Sequence, residues 1–408
     1  MSRLLIRDLA QAATPWAGDG APLRGATLRD VLVVEDAYVL VRGGTIETVG
    51  RMRDLDRSAL DGDVEEIDGR GLAAIPGLVD CHTHPAFAGD RVHEFALRAG
   101  GATYDELLAA GGGILSTTRA TRAAEPAELD RIVVAHREAM LARGTTTFEG
   151  KSGYGLDRDT ELAQLRAVRA AGGIATWLGA HAVPPEHPTP DAYVDWLIDE
   201  VLPDAAGLAD AADVFVERGT FDVGQARRYL LACRDAGLAL RLHGDQLSEI
   251  GAVPLAVELG ARSVDHLEST GPAGVEMLAA SDVVAVMLPI AALYLGRPMP
   301  PARALVDAGA AVALATDFNP GSAYCESLPV VCTLACTQLR LAPEEALSAC
   351  TINAAHVLGL DDRGCLAAGM RADVVLVGAP DWRHLAYHLA GDVIHTVVRR
   401  GRVVLSRA

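Results

Sequence analysis

Aromatic side chains are scarce in this chain, with six Phe, eight Tyr and four Trp among 408 residues. Basic residues are outnumbered, 36 Lys and Arg against 54 Asp and Glu, for a formal charge of −18. A diffuse acidic surface argues against nucleic acid and anionic membrane as partners, and a small anionic ligand would need a local cation. No apolar run approaches the roughly 20 residues of a membrane span. The opening MSRLLIRDLAQAATPW lacks the apolar segment and small-residue cleavage site of a secretory signal. Seven cysteines scattered from Cys81 to Cys365 do not resemble a disulfide framework in a chain this long. The expected setting is therefore a reducing cytoplasm. What remains is half apolar and rich in Ala and Gly, which excludes a disordered chain and suits helices packed closely on a sheet.

Residues 1–75 read as short β segments, SRLLIRDL, DVLVVEDAYVLVRGGTIETVG and VEEIDGRGLAAI, separated by Gly and Asp turn signals. The last forty residues read the same way, in RADVVLVGAP and DVIHTVVRRGRVVLSRA. Between them, eight apolar runs alternate with amphipathic stretches: AIPGLVDCHTH, GTTTFEGKSGYG, GIATWLGAH, ADVFVERG, LALRLHGDQ, RSVDHLE, DVVAVMLP and AVALATDFNPG. Leu129, Ile132, Val133, His136 and Met140 fall at helical spacing in one of the stretches between. Eight such units predict an α/β fold, a (β/α)8 TIM-like barrel over 76–365. The expected partner unit is a small composite β-sandwich of 1–75 with 366–408.

Most of the eight runs end in a polar or ionisable residue: His82 and His84, Glu149 and Lys151, His181, Glu217, His243, His266 and Asp317. In a barrel these C-terminal strand ends surround one mouth, where active sites are built. His82 and His84 stand two apart in an extended run, so both imidazoles face the same side. With His243 and Asp317 they offer three nitrogens and one carboxylate, a set suited to one divalent ion, Zn²⁺ or iron, with zinc preferred. Such an ion would lower the pKa of its water to about 7. His266, ending the sixth run, is the candidate to orient that water or donate to a developing oxyanion, and Asp317 to shuttle its proton.

Arg91, just after the His-Thr-His run, is placed to hold a substrate carboxylate bidentately. Tyr154 and His181 are further candidate substrate contacts, as are Asn319, Gly321 and Ser322 in NPGS; Gln246 is an uncharged hydrogen-bonder and a poor base. GTTTFEGKS has five residues between its glycines and misses the phosphate-loop spacing, and GKSGY lacks the last Gly of a nucleophile elbow. GGGILSTTRATR is expected to be a flexible loop near the mouth. Cys332 and Cys336 are assigned to the core, and carboxylation of Lys151 to bridge a second metal is set aside.

PGLVDCHTH followed by AFAGDR, then GGGILSTTRATR, KSGYGLDRDTEL, LGAHAVPPE, HGDQLS, VDHLE and TDFNPGS closely resemble the imidazolonepropionases of the amidohydrolase superfamily. KSGYGL and DFNPGS are specific to that family, and the likeness runs through almost the whole chain. It implies hydrolysis of 4-imidazolone-5-propanoate to N-formimidoyl-L-glutamate in histidine degradation, by a homodimer. It implies His82, His84, His243 and Asp317 as ligands of one Zn²⁺ or iron, with Arg91, Tyr154, His181, Asn319, Gly321 and Ser322 at the substrate. Some members carry Glu where this chain has Gln246, which turns the proton-transfer role toward His266 and Asp317. Two other readings stay open: a different amidohydrolase reaction, such as deamination of a nitrogen heterocycle or opening of another cyclic amide, and a non-catalytic scaffold retaining the barrel.

Overall fold

The computed structural model describes residues 3–16, 22–60, 64–101 and 112–407. The N-terminal segment forms β1 (Arg3–Pro15), β2 (Val31–Arg42), β3 (Thr45–Arg51), β4 (Val64–Asp68) and β5 (Ala73–Pro76). Eight strands follow in the middle of the chain: β6 (Leu78–Asp80), β7 (Thr145–Lys151), β8 (Ile174–Ala180), β9 (Ala211–Val216), β10 (Ala239–Gly244), β11 (Ser263–His266), β12 (Val284–Met287) and β13 (Val312–Leu314). The C-terminal segment adds β14 (Val374–Val377), β15 (Ile394–Arg399) and β16 (Arg402–Ser406).

Strands β6 to β13 make one parallel sheet in simple sequence order. Each of the eight apolar runs supplies one of them. Their residues are buried along almost the whole length of each strand, because helices cover the outer face and side chains fill the inner one. The barrel closes through the residues after β6 and β13. Asp80 accepts from Thr316 N (3.1 Å) and Thr316 Oγ1 (2.6 Å), Asp317 N donates to His82 O (3.0 Å) and His84 N donates to Phe318 O (2.8 Å).

The surrounding helices begin and end at chemically explicable points. Asp157 caps Arg158–Ala170 by accepting from Thr160 N at 2.8 Å, and Asp222 with Gln225 forms a capping box on Val223–Asp235. Leu129, Val133 and Met140 are the buried stripe of Pro126–Leu141. One expectation is corrected. Gly111 lies outside the described residues and Gly112 and Gly113 are irregular, but the rest of the segment is no loop: Ile114–Ala123 is helical and buries Thr117, Thr118 and Thr121. Three hydroxyl-bearing residues at i, i+1 and i+4 mark one helical face, a period the loop reading overlooked.

The two ends of the chain meet in a single mixed sheet, in the order β16-β15-β14-β5-β1-β2-β3 with β4 also on β1. β14 runs antiparallel to β5, pairing Val374 with Pro76 and Val377 with Ala73. The sheet folds over its own core, where Leu4, Ile6, Val39, Val41 and Ile46 meet Leu366, Val374, Leu376 and Val398. Only Gly77 separates β5 from the first barrel strand. A Cβ there would lie 2.2 Å from Thr146 Oγ1 and 2.9 Å from Asp373 Cβ, so the close passage between the units admits glycine alone. All seven cysteines are free, Cys332 buried and Cys336 half-buried. No helix among the described residues is long and apolar enough to cross a membrane.

Candidate active site

The His-Thr-His run is held from both sides. Thr83 N donates to Glu149 Oε2 (3.3 Å), its hydroxyl donates to Glu149 O, and Lys151 N donates to Thr83 O (2.9 Å). With Thr83 fixed outward to β7, the alternation of an extended chain turns His82 and His84 inward together. His243 at the end of β10 completes a cluster, with ring centroids 4.5 Å from His82 and 5.4 Å from His84.

The nitrogens of this cluster call for a cation. His82 Nε2 and His84 Nε2 face each other at 3.3 Å, and Asp317 Oδ1 lies 3.4 Å from each. His243 Nε2 is buried with no hydrogen-bond partner. The other ring nitrogens of two of them have carboxylates: His82 Nδ1 lies 2.5 Å from Asp265 Oδ2, and His243 Nδ1 lies 3.0 Å from Asp213 Oδ2. A proton on each Nδ1 leaves the Nε2 lone pairs for a metal ion, the arrangement that metal-ligating histidines use. Burial holds His82 and His84 well below the usual imidazole range and His243 down to about 3, so all three are neutral donors at pH 7. His82, His84 and His243 have the mutual spacing of a metal-binding group, as do His82, His266 and Asp317.

Beneath the histidines the barrel interior is ionic. Lys151 Nζ bonds Glu149 Oε1 (2.8 Å) and Asp213 Oδ2 (2.7 Å). Arg241 bonds Glu149, Asp265 Oδ2 (2.7 Å) and Ser263 Oγ (3.0 Å). All five ionic side chains are shielded from solvent. Paired to two carboxylates, Lys151 is a firmly protonated ammonium, with its pKa raised although burial alone would lower it. That state does not fit a carboxylated lysine.

The strand exits are bent. His266 and Leu267 have φ of 86° and 72°, Asp245 53° and Asp317 56°, all in the left-handed region that costs non-glycine residues free energy. Burial alone would depress His266, but Glu268 (Nδ1 to Oε1, 3.4 Å) and Asp317 outweigh it, and its pKa is raised. Burial raises Asp317, partly offset by His266 and His243.

These groups open on a cavity of about 500 Å³. His84, His243, His266 and Asp317 line it, together with Arg91, Tyr154, His181, Gln246, Asn319, Gly321 and Ser322, so every sequence-derived site residue but the deeper His82 reaches its wall. His181 Nδ1 donates to Gly153 O (2.9 Å), which turns Nε2 away from the backbone. Arg91 is already engaged, its Nε and Nη2 both on Glu94 Oε2 at 2.8 and 2.7 Å. Asn319 is spent on its own turn. Its Oδ1 accepts from Gly321 N and Ser322 N, both at 2.8 Å, and its Nδ2 donates to Asp317 O at 2.6 Å. It thereby braces Asp317.

Across 73–404 the chain matches the amidohydrolase family model. It is 59% identical to the imidazolonepropionase of Rubrobacter xylanophilus, over 98% of this chain and 97% of that one. It is 46% identical to the imidazolonepropionase of Deinococcus radiodurans, over 98% and 99%. The chain belongs to the imidazolonepropionase family of amidohydrolases. It is a hydrolase built on the amidohydrolase barrel, and its imidazole cluster can hold a metal ion. Its fold recurs in a guanine deaminase of C. acetobutylicum solved with guanine (TM-score 0.74, 14% identity, 99% and 100% coverage). It recurs also in an atrazine chlorohydrolase variant of Arthrobacter aurescens solved with zinc and atraton (TM-score 0.72, 19% identity, 99% and 95% coverage).

Sequence reasoning named Glu149 and Lys151 as strand ends but missed the rest of the ionic layer and part of the cavity wall. Asp213, Arg241 and Asp265 interrupt strands that should be wholly apolar, and Arg241 lies two residues before His243 on the same strand face. That period-2 offset was the available signal. Glu94, Arg98 and Arg297 also line the cavity, from segments where an isolated charge carries no such mark.

Proposed function

We propose that this protein opens the cyclic amide of 4-imidazolone-5-propanoate with water, giving N-formimidoyl-L-glutamate in histidine degradation. Residues 76–365 act as the catalytic unit and 1–75 with 366–408 as its β-domain, in a cytoplasmic homodimer. One observation carries the reading: a three-imidazole, one-carboxylate donor set opens, through His84, His243 and Asp317, on a small cavity that a guanidinium able to take an anionic tail also lines.

His82, His84, His243 and Asp317 would hold the ion, zinc in preference to iron because the donors are neutral imidazoles and a carboxylate. When bound, the ion supplies Lewis acidity, polarising the amide carbonyl and activating water. Arg91 Nη1 anchors the propanoate, while Tyr154, His181 and Gln246 orient the ring. His266, held by Glu268, donates a hydrogen bond to the oxyanion that forms as water adds to the carbonyl. Asp317 takes the proton of that water and delivers it to the departing ring nitrogen. Ser322 and the Gly321 backbone contact substrate or product beside the propanoate.

An ultraviolet assay of imidazolonepropanoate loss, with metal quantified in the same sample, tests the reading. Turnover in proportion to metal content is expected. A fully metallated sample without turnover would reject the substrate, and a panel of cyclic amides and aminated heterocycles would then find the right one.

A further inference from the structure

Helix Val92–Ala99 fully buries none of its residues. Its half-buried positions, with the N-cap Arg91, are Glu94, Leu97 and Arg98, one helical face, and Arg91, Glu94 and Arg98 all line the cavity. Glu94 holds Arg91 through Nε and Nη2. Its Oε1 accepts from Gly113 N (3.1 Å) and Ser116 Oγ (3.0 Å), tying this helix to Ile114–Ala123. Among the described residues Arg91 Nη1 has no hydrogen-bond partner, and it lies against Gly321, where a Cβ would sit 2.0 Å from it.

Arg98 reaches the same glycine. Its Nη2 donates to Gly321 O at 3.2 Å, and its guanidinium sits 5.3 Å from the centroid of the Tyr294 ring, a cation–π contact that fixes its plane. Two guanidiniums thus converge on one backbone position inside a cavity, and among the described residues Glu94 is paired to Arg91 and no carboxylate is paired to Arg98. Repulsion between the two disfavours this placement unless an anion joins them. Arg297, the third arginine on the wall, is exposed and turned to the Leu247 carbonyl (3.0 Å).

We propose that Arg98 is a specificity-determining residue, a second cation that binds the substrate carboxylate together with Arg91. The inference rests on the imidazolonepropanoate reading above. It explains how an acidic protein selects an anionic tail: among the described residues of this face, Arg91, Glu94 and Arg98 sum to one positive charge, matched to one carboxylate.

The test compares wild type, Arg98→Ala and Arg98→Lys on imidazolonepropanoate and on its methyl ester, whose tail is neutral. Loss of a charge-assisted hydrogen bond should lower kcat/KM of Arg98→Ala on the acid by about 10- to 100-fold, chiefly through KM. Ester turnover should stay within about threefold of wild type, and Arg98→Lys should fall between, since it keeps the charge and loses the fork. An unchanged ratio of acid to ester activity, whether both persist or both fall, would overturn the assignment. A wild-type enzyme inactive on the acid would instead remove the functional reading on which it rests.

Discussion

Asp265 Oδ2 lies 2.5 Å from His82 Nδ1, and solvent reaches neither side chain. The same oxygen accepts from Arg241 Nη2 at 2.7 Å, so one carboxylate fixes both an imidazole tautomer and the ionic layer below it. Asp265→Asn keeps the shape and loses the charge that orients His82. Metal affinity should fall by about 10- to 100-fold, as for other outer partners of ligating histidines. Metal content after dialysis against a graded chelator measures this, and wild-type retention would contradict it.

Lys151 has a structural role with a large expected cost. Lys151→Met leaves Glu149 and Asp213 buried beside one remaining cation, Arg241. Removing one partner of a buried pair costs about 3–5 kcal/mol. Urea unfolding should show a lower midpoint, and an unchanged midpoint would contradict the cluster's role.

Gly321 separates activity from stability. A Cβ there meets the end of the flexible Arg91 side chain, which can swing aside. Gly321→Ala should therefore raise KM strongly while the melting temperature stays within about 1 °C of wild type, the shift that roughly 1 kcal/mol produces in a chain of this size. A normal KM would mean that Arg91 Nη1 does not hold the tail.

Acid stability follows from the buried histidines. His181 is held at about 3 by burial, against 6.5 when solvated, so the fold prefers its neutral form. Its contribution is complete above pH 6.5 and is lost as pH falls toward 3. One proton sets a slope of about 1.4 kcal/mol per pH unit in this window. His181→Asn should flatten the pH dependence of unfolding by that amount, and parallel profiles would refute it.

Much of this was legible in the amino-acid order. All eight barrel strands announced themselves as apolar runs, because a parallel sheet buried on both faces has no reason to alternate. The site histidines were visible because each ends such a run. The charges inside the strands were harder. Arg241 is tolerable only because Glu149 and Asp265 reach it from β7 and β11, and Asp213 only because Lys151 and His243 reach it from β7 and β10, and those neighbour relations are not local. Arg98 was invisible for the same reason: its partners, Gly321 and Tyr294, lie some two hundred residues away in the chain. Ile114–Ala123 was misread because three glycines before it outweighed the spacing of its buried threonines.

Lys151 is the only lysine in the sequence, and it is completely buried. Apart from the chain terminus, the folded molecule therefore presents no primary amine. Acylating labels, lysine-directed cross-linkers and lysine-specific proteases would all find their single target inside the barrel, locked between two carboxylates. Modification at that position becomes a clock for opening of the catalytic interior, read from one chemical event against a silent surface.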